Sequence, residues 1–419
     1  MSAHRIHPAL LVVFGGVAAA LHVGKLPTAL PVLRDALGVT LVQAGFLLSL
    51  VQLAGMLFGL AVGLAADSLG LRRTMIVGLA VLSLASAAGG VARSPATLML
   101  LRAAEGMGFL LASMPAPSLI RRLVEPSRVS AALGLWGAYM PLGTALALLC
   151  GAPVMSWIGW PGWWWLIAVI STLMSLWIWA AVPPDPAVHR VRDGASSNWM
   201  SRLTWTLKSP GPWLVALSFA VYSGQWLSVI GFLPSMYAQA GLSASLAGAA
   251  TALAALVNMI GNIGAGRLLQ RHVQPQRLLY AGFTAMALGA LVAFSDIWGG
   301  IDLKLAAGLR YAGVLGFSMF GGLIPGTLFS LAVRLAPGEQ TVSTTVGWMQ
   351  QWSSLGQFAG PPLVALVASW VGGWQWSGAV TGTCALAGML LARVIGGLLS
   401  GKQKVRVPDQ LVRKVRAKL

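Results

Sequence analysis

The chain has 419 residues, 57% of them hydrophobic and only 9% charged, with a net charge of +18. A soluble domain averages about 25% charged residues, so this composition excludes a pair of ordinary water-soluble domains and points to a chain solvated mostly by lipid. The positive charge gives no nucleic-acid footprint: of the 28 Lys and Arg, Arg34, Arg93 and Lys304 lie on one set of connections, Lys25, Arg102 and Arg310 lie inside apolar segments, and the others share the opposite set of loops and ends.

A spanning helix needs about 20 mainly apolar residues. Twelve segments qualify, at 8–33, 40–65, 74–92, 96–119, 129–155, 162–182, 212–238, 243–268, 277–297, 303–335, 341–370 and 375–400. They predict an all-α membrane protein with 12 transmembrane helices in two six-helix pseudo-symmetric halves. The first segment is too long for a signal peptide. The Lys/Arg bias follows the positive-inside rule and puts both termini in the cytoplasm of a multi-pass inner (plasma) membrane protein. The expected division is 1–182 for the first half, 183–211 for a Pro-rich cytoplasmic linker, 212–400 for the second half and 401–419 for a basic tail.

The halves repeat each other. Leu101-Arg-Ala-Ala-Glu-Gly-Met-Gly-Phe109 returns as Leu309-Arg-Tyr-Ala-Gly-Val-Leu-Gly-Phe317, and Pro117 falls opposite Pro325. Val23-Gly-Lys-Leu-Pro27 matches Ile230-Gly-Phe-Leu-Pro234. Gly38-Val-Thr40 matches Gly241-Leu-Ser243, with Thr40 and Ser243 as N-caps of spans 2 and 8. Six spans per half relate the halves by an axis along the membrane normal, with a binding site between them near the midplane. Gly55, Gly59 and Gly63 form a packing stripe on span 2. Their counterparts on span 8 are Asn258, Asn262 and Gly266, whose amides serve either interhelical hydrogen bonds or substrate contact.

A Lys or Arg at mid-span is a functional candidate by default. Lys25, Arg102 and Arg310 sit about 10–14 Å in from one face at 1.5 Å per residue. His22 precedes Lys25 by one turn on the same face. Glu105, three residues after Arg102, is the one acid embedded with them. It leaves Lys25 and Arg310 without an evident acidic partner, so an anionic substrate or a coupling ion would supply the missing charge. The two arginines read as a symmetric clamp, one from each half. Val229 and Phe232 replace His22 and Lys25 in the second half. The alternatives are that Lys25 snorkels to the interface and that Arg102 serves packing and gating.

Span 2 ends in Gly63-Leu-Ala-Ala-Asp67-Ser-Leu-Gly70-Leu-Arg72-Arg73. This resembles the loop motif of the major facilitator superfamily, Gly-x3-Asp-Arg/Lys-x-Gly-Arg-Arg/Lys, with Ser68 and Leu71 where basic residues are usual. Arg102-x2-Glu105-Gly106-x-Gly108 resembles the superfamily's Arg-x2-Gln-Gly-x-Gly motif, with Glu for Gln. Gly356-Gln-Phe-Ala-Gly360-Pro-Pro362 and Gly372-Gly-Trp374 resemble the cyanate and nitroimidazole transporter group. The resemblance implies a conformational latch at Gly63, Asp67, Gly70, Arg72 and Arg73. It also implies a central cavity lined by spans 1, 4, 5, 7, 8, 10 and 11, to which Tyr139, Gln225, Gln350 and Gln357 contribute beside His22, Lys25, Arg102, Arg310, Asn258 and Asn262.

The function expected is that of a secondary transporter moving a small anionic solute by alternating access, with His22 and Glu105 as proton-coupling candidates. Efflux of a small amphipathic compound or drug is the alternative within transport. A channel or a transport-derived sensor is the alternative outside it. No nucleophile–His–acid set, zinc-ligand spacing or phosphate loop is present, and Cys150 and Cys384 are isolated thiols. The expectation is therefore no enzyme, no cofactor and no metal. The partners are a small solute, protons and the bilayer rather than nucleic acid, and the chain acts as a monomer.

Overall fold

A computed structural model of the chain describes residues 6–185, 199–295 and 302–406, which hold helices and turns and no strand. Among the described residues, eleven helices are long and apolar enough to cross a membrane. One of them, α8, bends sharply and crosses twice, which makes the twelve expected spans.

Span 1 is α1 (Pro8–Leu37), with Pro8 in its first turn and Arg34 in its last. Span 2 is divided into α2 (Leu41–Ser49), a 3₁₀ turn (Leu50–Gln52) and α3 (Leu53–Leu69). Thr40 caps α2 through a full capping box with Gln43, as its place before the apolar run predicts. Span 3 is α4 (Leu71–Gly89). Span 4 is α5 (Pro95–Ser113) followed by α6 (Ala116–Leu123). The break falls where Pro115 and Pro117 bring no N–H to the helical ladder.

Span 5 is α7 (Val129–Trp136) and the first part of α8 (Tyr139–Ala181). Span 6 is the rest of α8, beyond a bend at Gly159, whose φ of 70° and ψ of 173° suit only glycine. The connector carries α9 (Trp199–Lys208).

The second half runs α10 (Pro210–Gln239), α11 (Ala244–Gln270), α12 (Pro275–Phe294), α13 (Leu303–Gly321), α14 (Leu323–Leu335), α15 (Val342–Val371) and α16 (Ser377–Arg406). Ser243 caps α11 by accepting from Leu246 N–H, as expected. The α13–α14 break at Gly322 stands at the repeat position of Met114, the C-cap residue of α5, so the duplication extends to the kink.

With twelve crossings, α1 begins and α16 ends on the same face of the bundle, here the terminal face. Small residues bring the helices together. A Cβ on Gly108 of α5 would lie 2.8 Å from the Gly78 carbonyl of α4, and one on Gly24 of α1 would lie 2.6 Å from the Thr144 carbonyl of α8. The glycine stripe of span 2 faces α15, where a Cβ on Gly55 would meet Ser354 Oγ at 2.5 Å.

The two halves share a hydrophobic core toward the face opposite the termini. There Leu30, Leu33, Leu47 and Leu48 pack with Phe232, Val364 and Ala365. Gly248 of α11 approaches the Leu148 carbonyl of α8 on the same side. Toward the terminal face, a Cβ on Gly266 of α11 would meet nothing within 4 Å.

Candidate functional site

His22 and Lys25 project from α1 toward Arg102 and Glu105 on α5. All four are at most 2% exposed. Glu105 is the hub. One carboxylate oxygen accepts from Lys25 Nζ, and the other accepts from Arg102 Nη1 at 2.5 Å. Lys25 therefore has an acidic partner, contrary to the expectation from sequence; the acid stands 80 positions away and is shared.

Most of the remaining polar atoms find neutral partners. Lys25 Nζ donates to Ser86 Oγ at 2.8 Å and lies 4.8 Å above the Trp164 ring, a cation–π contact. Ser86 Oγ in turn donates to the Trp164 carbonyl at 2.9 Å. Lys25 also approaches His22 Nδ1 at 3.5 Å. With Nδ1 accepting there, the neutral imidazole carries its hydrogen on Nε2 and donates to Ser171 Oγ, 2.8 Å away. Arg102 reaches two main-chain oxygens, Nη1 to His22 O at 2.6 Å and Nε to Leu47 O at 3.1 Å. Its Nη2 is buried without a hydrogen-bond partner among the described residues.

The motif of span 4 thus has a physical reading at every position. Arg102 grips α1 and α2, and Glu105 joins Arg102 to Lys25. Gly106 lets α5 touch the 3₁₀ turn, since a Cβ there would lie 2.8 Å from Val51 O. Gly108 lets α5 touch α4. The group is walled by α4 and the second part of α8 and sits inside the first half. One carboxylate faces a lysine and an arginine, so with a neutral imidazole the cluster holds one positive charge in excess.

Arg310 is not the mirror image of Arg102. It is exposed on α13, and its Nη2 donates to the Ser295 carbonyl at 3.4 Å. Gly313 holds the repeat position of Glu105. The symmetric clamp read from the repeat is not seen: Arg102 is buried, whereas Arg310 is exposed.

In the second half a neutral network takes the place of the ions. Asn258 Nδ2 donates to Ser318 O at 2.8 Å and to Tyr222 Oη at 3.1 Å, and Asn262 Nδ2 donates to Asn258 Oδ1 at 3.2 Å. The asparagines tie α10, α11 and α13 together. Gln225 of α10 differs: it is 3% exposed, and neither its amide oxygen nor its nitrogen has a hydrogen-bond partner among the described residues. Tyr139 stacks on Trp136 with ring centroids 4.1 Å apart, and both rings lie against Gly16 of α1.

Gln350 is half-buried on α15. Gln357, on the same helix, accepts from Gln52 Nε2 at 3.1 Å across the seam between the halves. Gln351 is a neighbour that sequence reasoning passed over. Its amide donates to Met56 O at 2.7 Å and accepts from Leu60 N–H at 3.3 Å.

At the terminal face, Gly63 and Asp67 lie outside the residues whose side-chain surroundings the structure describes. Gly70 opens α4 with φ 89°. The acid placed against this turn is Asp185, at the start of the connector. It accepts from Arg72 N–H and Arg73 N–H at 3.0 Å each and from Arg122 Nη1 at 2.7 Å. Arg72 also donates to the Trp179 carbonyl. Burial works against the Asp185 charge, but the two main-chain N–H groups and the Arg122 guanidinium outweigh it and hold the carboxyl below the usual carboxylate range.

Sequence reasoning missed Ser86, Ser171, Trp164, Gln52, Gln351 and Asp185. A signal existed for some of them: Ser83 and Ser86 in α4, and Ser171 and Ser175 in α8, put hydroxyls on single faces of apolar helices.

A bundle of twelve spanning helices in two related halves, with ions buried in one, defines a membrane transporter class rather than an enzyme. Residues 12–361 match the family model described as Major Facilitator Superfamily, and the chain belongs to that family. It is 26% identical over 378 residues to the 2-nitroimidazole transporter of Escherichia coli (strain K12), covering 90% of each chain. It is 26% identical over 355 residues to the Cyanate transport protein CynX of the same strain, covering 78% of this chain and 83% of the relative. Its fold is similar to that of a bacterial homolog to the human lysosomal transporter Spinster, in an inward-facing and occupied conformation. The TM-score is 0.71 at 15% identity, with 93% of this chain and 96% of the other covered.

Proposed function

We propose that this transporter moves a small anion across the bacterial inner membrane by alternating access, and that the ion cluster of the first half exchanges the coupling proton. The observation that carries this reading is the charge balance at Lys25, Arg102 and Glu105. A single carboxylate serves two cations, out of contact with water. Burying unbalanced charge is costly, so the cluster favours any step that brings in negative charge or lets a proton go.

The central solute meets the halves at their seam, where Gln225 offers a buried amide with both hydrogen-bonding atoms unspent. Leaving such groups unpaired costs about 1–3 kcal/mol each, which a polar solute offsets on binding. The relative named for cyanate transport supports a small anion as cargo. Arg72, Arg73, Arg121, Arg122, Arg267 and Arg271 mark the terminal face as cytoplasmic under the positive-inside rule.

Purified protein in proteoliposomes, screened with small inorganic and carboxylate anions with and without a pH gradient, tests the reading. Saturable uptake that rises with an inward proton gradient and is lost in Lys25→Ala is the expected result. Transport of neutral compounds only, with Lys25→Ala still active, would overturn it.

A further inference from the structure

The ion cluster is joined to the seam between the halves by a distorted turn of span 2. We infer that the 3₁₀ turn Leu50–Gln52 transmits the charge state of the cluster to the seam, with Gln52 as the positioning residue. This rests on the reading above, that the cluster exchanges a proton.

Each link is a direct contact. Glu105 orients Arg102, and Arg102 Nε holds the Leu47 carbonyl at 3.1 Å, three residues before the turn. One turn further along α5, Gly106 lies against the Val51 and Leu50 carbonyls, at 2.8 and 3.0 Å from where its Cβ would be. The turn is therefore held from the cluster side just before it and along its first two residues. Ser49 precedes it and Gln52 closes it, with φ/ψ of −92°/−28° and −93°/−8°.

Gln52 points the other way. It is 3% exposed, donates to Gln357 Oε1 at 3.1 Å and accepts from Ser354 Oγ at 3.3 Å, both on α15 of the second half. Gln351, a turn away on α15, bonds Met56 O and Leu60 N–H, the i and i+4 members of the ladder of α3 itself. The first stretch of α3 and the turn are thus stitched to α15.

A 3₁₀ turn stores a defined movement. Three residues that pass from 3.0 to 3.6 residues per turn rotate the following helix by about 60° and shorten the span by about 1.5 Å. A rotation of that size carries Gln52, Met56 and Leu60 off their partners on α15. Release of a proton from Lys25 leaves Glu105 to Arg102 alone, and the guanidinium is then free to shift on the Leu47 carbonyl. The charged and titratable groups facing Glu105 among the described residues are His22 and Lys25 from α1 and Arg102 from its own helix. The neighbours from α4 and α8 are Ser86, Trp164 and Ser171, which hold no charge.

The test uses the full chain in lipid nanodiscs, with Cys150 and Cys384 replaced by Ser and spin labels on E125C and Q270C, one exposed site on each half. The distance between labels is followed through a pH titration by pulsed electron spin resonance. The expected result is a pH-dependent shift in the parent protein, lost in Glu105→Gln and also lost in Gln52→Leu. Gln357→Leu removes the same bond from the other side and should reproduce Gln52→Leu, which keeps the test decisive if one variant fails to fold. A full pH response in Gln52→Leu or Gln357→Leu, with Glu105→Gln silent, overturns this inference and leaves the proton-exchanging cluster standing. A parent protein without pH response, or a Glu105→Gln that responds like the parent, overturns the cluster's role and this inference with it.

Discussion

Asp185 and Arg122 are joined by a charge-assisted hydrogen bond of 2.7 Å, which fastens the start of the connector to the end of span 4. The same carboxylate caps the N-terminus of α4 through Arg72 and Arg73. Asp185 thus meets Arg72 and Arg73, two of the residues expected to form a latch with Asp67, from more than a hundred residues further on.

Asp185→Ala should destabilise the first half by about 1 kcal/mol, the usual value of a lost helix cap. Because the folded carboxyl is held below its unfolded value, the contribution is fully present above the ordinary carboxylate pKa of about 3.9. It is lost as pH falls through the lower folded value. Thermal unfolding in detergent should therefore separate Asp185→Ala from the parent at neutral pH and bring the two together in acid. A gap that widens in acid contradicts this.

Removing opposite members of the ion cluster should have opposite consequences for folding. Glu105→Ala leaves Lys25 and Arg102 buried without their acid, and breaking a buried pair in this way costs about 3–5 kcal/mol. Lys25→Met leaves Arg102 and Glu105 as a balanced pair, so melting temperature should hold or rise while uptake disappears. Equal loss of stability in the two variants would remove the case for an excess positive charge.

Gln225→Leu should gain stability and lose transport. The variant deletes an amide that pays for burial without a partner, at about 1–3 kcal/mol per unsatisfied group. Melting temperature and proteoliposome uptake measured on one preparation decide it. A variant that is less stable and fully active would mean the amide is satisfied in the resting protein.

Two glycine substitutions separate close packing from open space. Gly106→Ala sets a methyl group against the Val51 and Leu50 carbonyls and should cost about 1–3 kcal/mol, as overpacking does. Gly266→Ala meets nothing and should be neutral or stabilising by about 0.5–1 kcal/mol through helix propensity. Comparing the two melting curves checks both.

Much of this architecture is legible in the sequence, because lipid imposes a coarse rule: long apolar runs become helices. The twelve spans, the Thr40 and Ser243 caps and the glycine stripe facing α15 follow from composition and spacing. Leu50-Val-Gln52 carries no proline or glycine, so nothing local announces the 3₁₀ turn; it depends on the grip of Arg102 and Gly106 from another helix. The pairing of Lys25 with Glu105 is likewise tertiary.

Arg310 teaches a different lesson. The repeat keeps the arginine, but Arg102 is buried and Arg310 exposed; an equivalent place in the duplication does not fix an equivalent environment. Asp185 escaped notice because Pro183-Pro-Asp-Pro186 reads as a connector, and a cap supplied from a distant segment leaves no mark on the helix it serves.

The ions of the first half are sealed from water, whereas Asp185 and Arg122 are partly open to it. Dissolved salt screens exposed charges beyond about 8 Å at physiological ionic strength and reaches buried ones far less. At 2.7 Å the Asp185–Arg122 pair lies well inside that length, so salt should weaken it only modestly and leave the inner cluster nearly untouched. What salt reaches first is the anchorage of the connector, and what it reaches last is the charge stored in the first half.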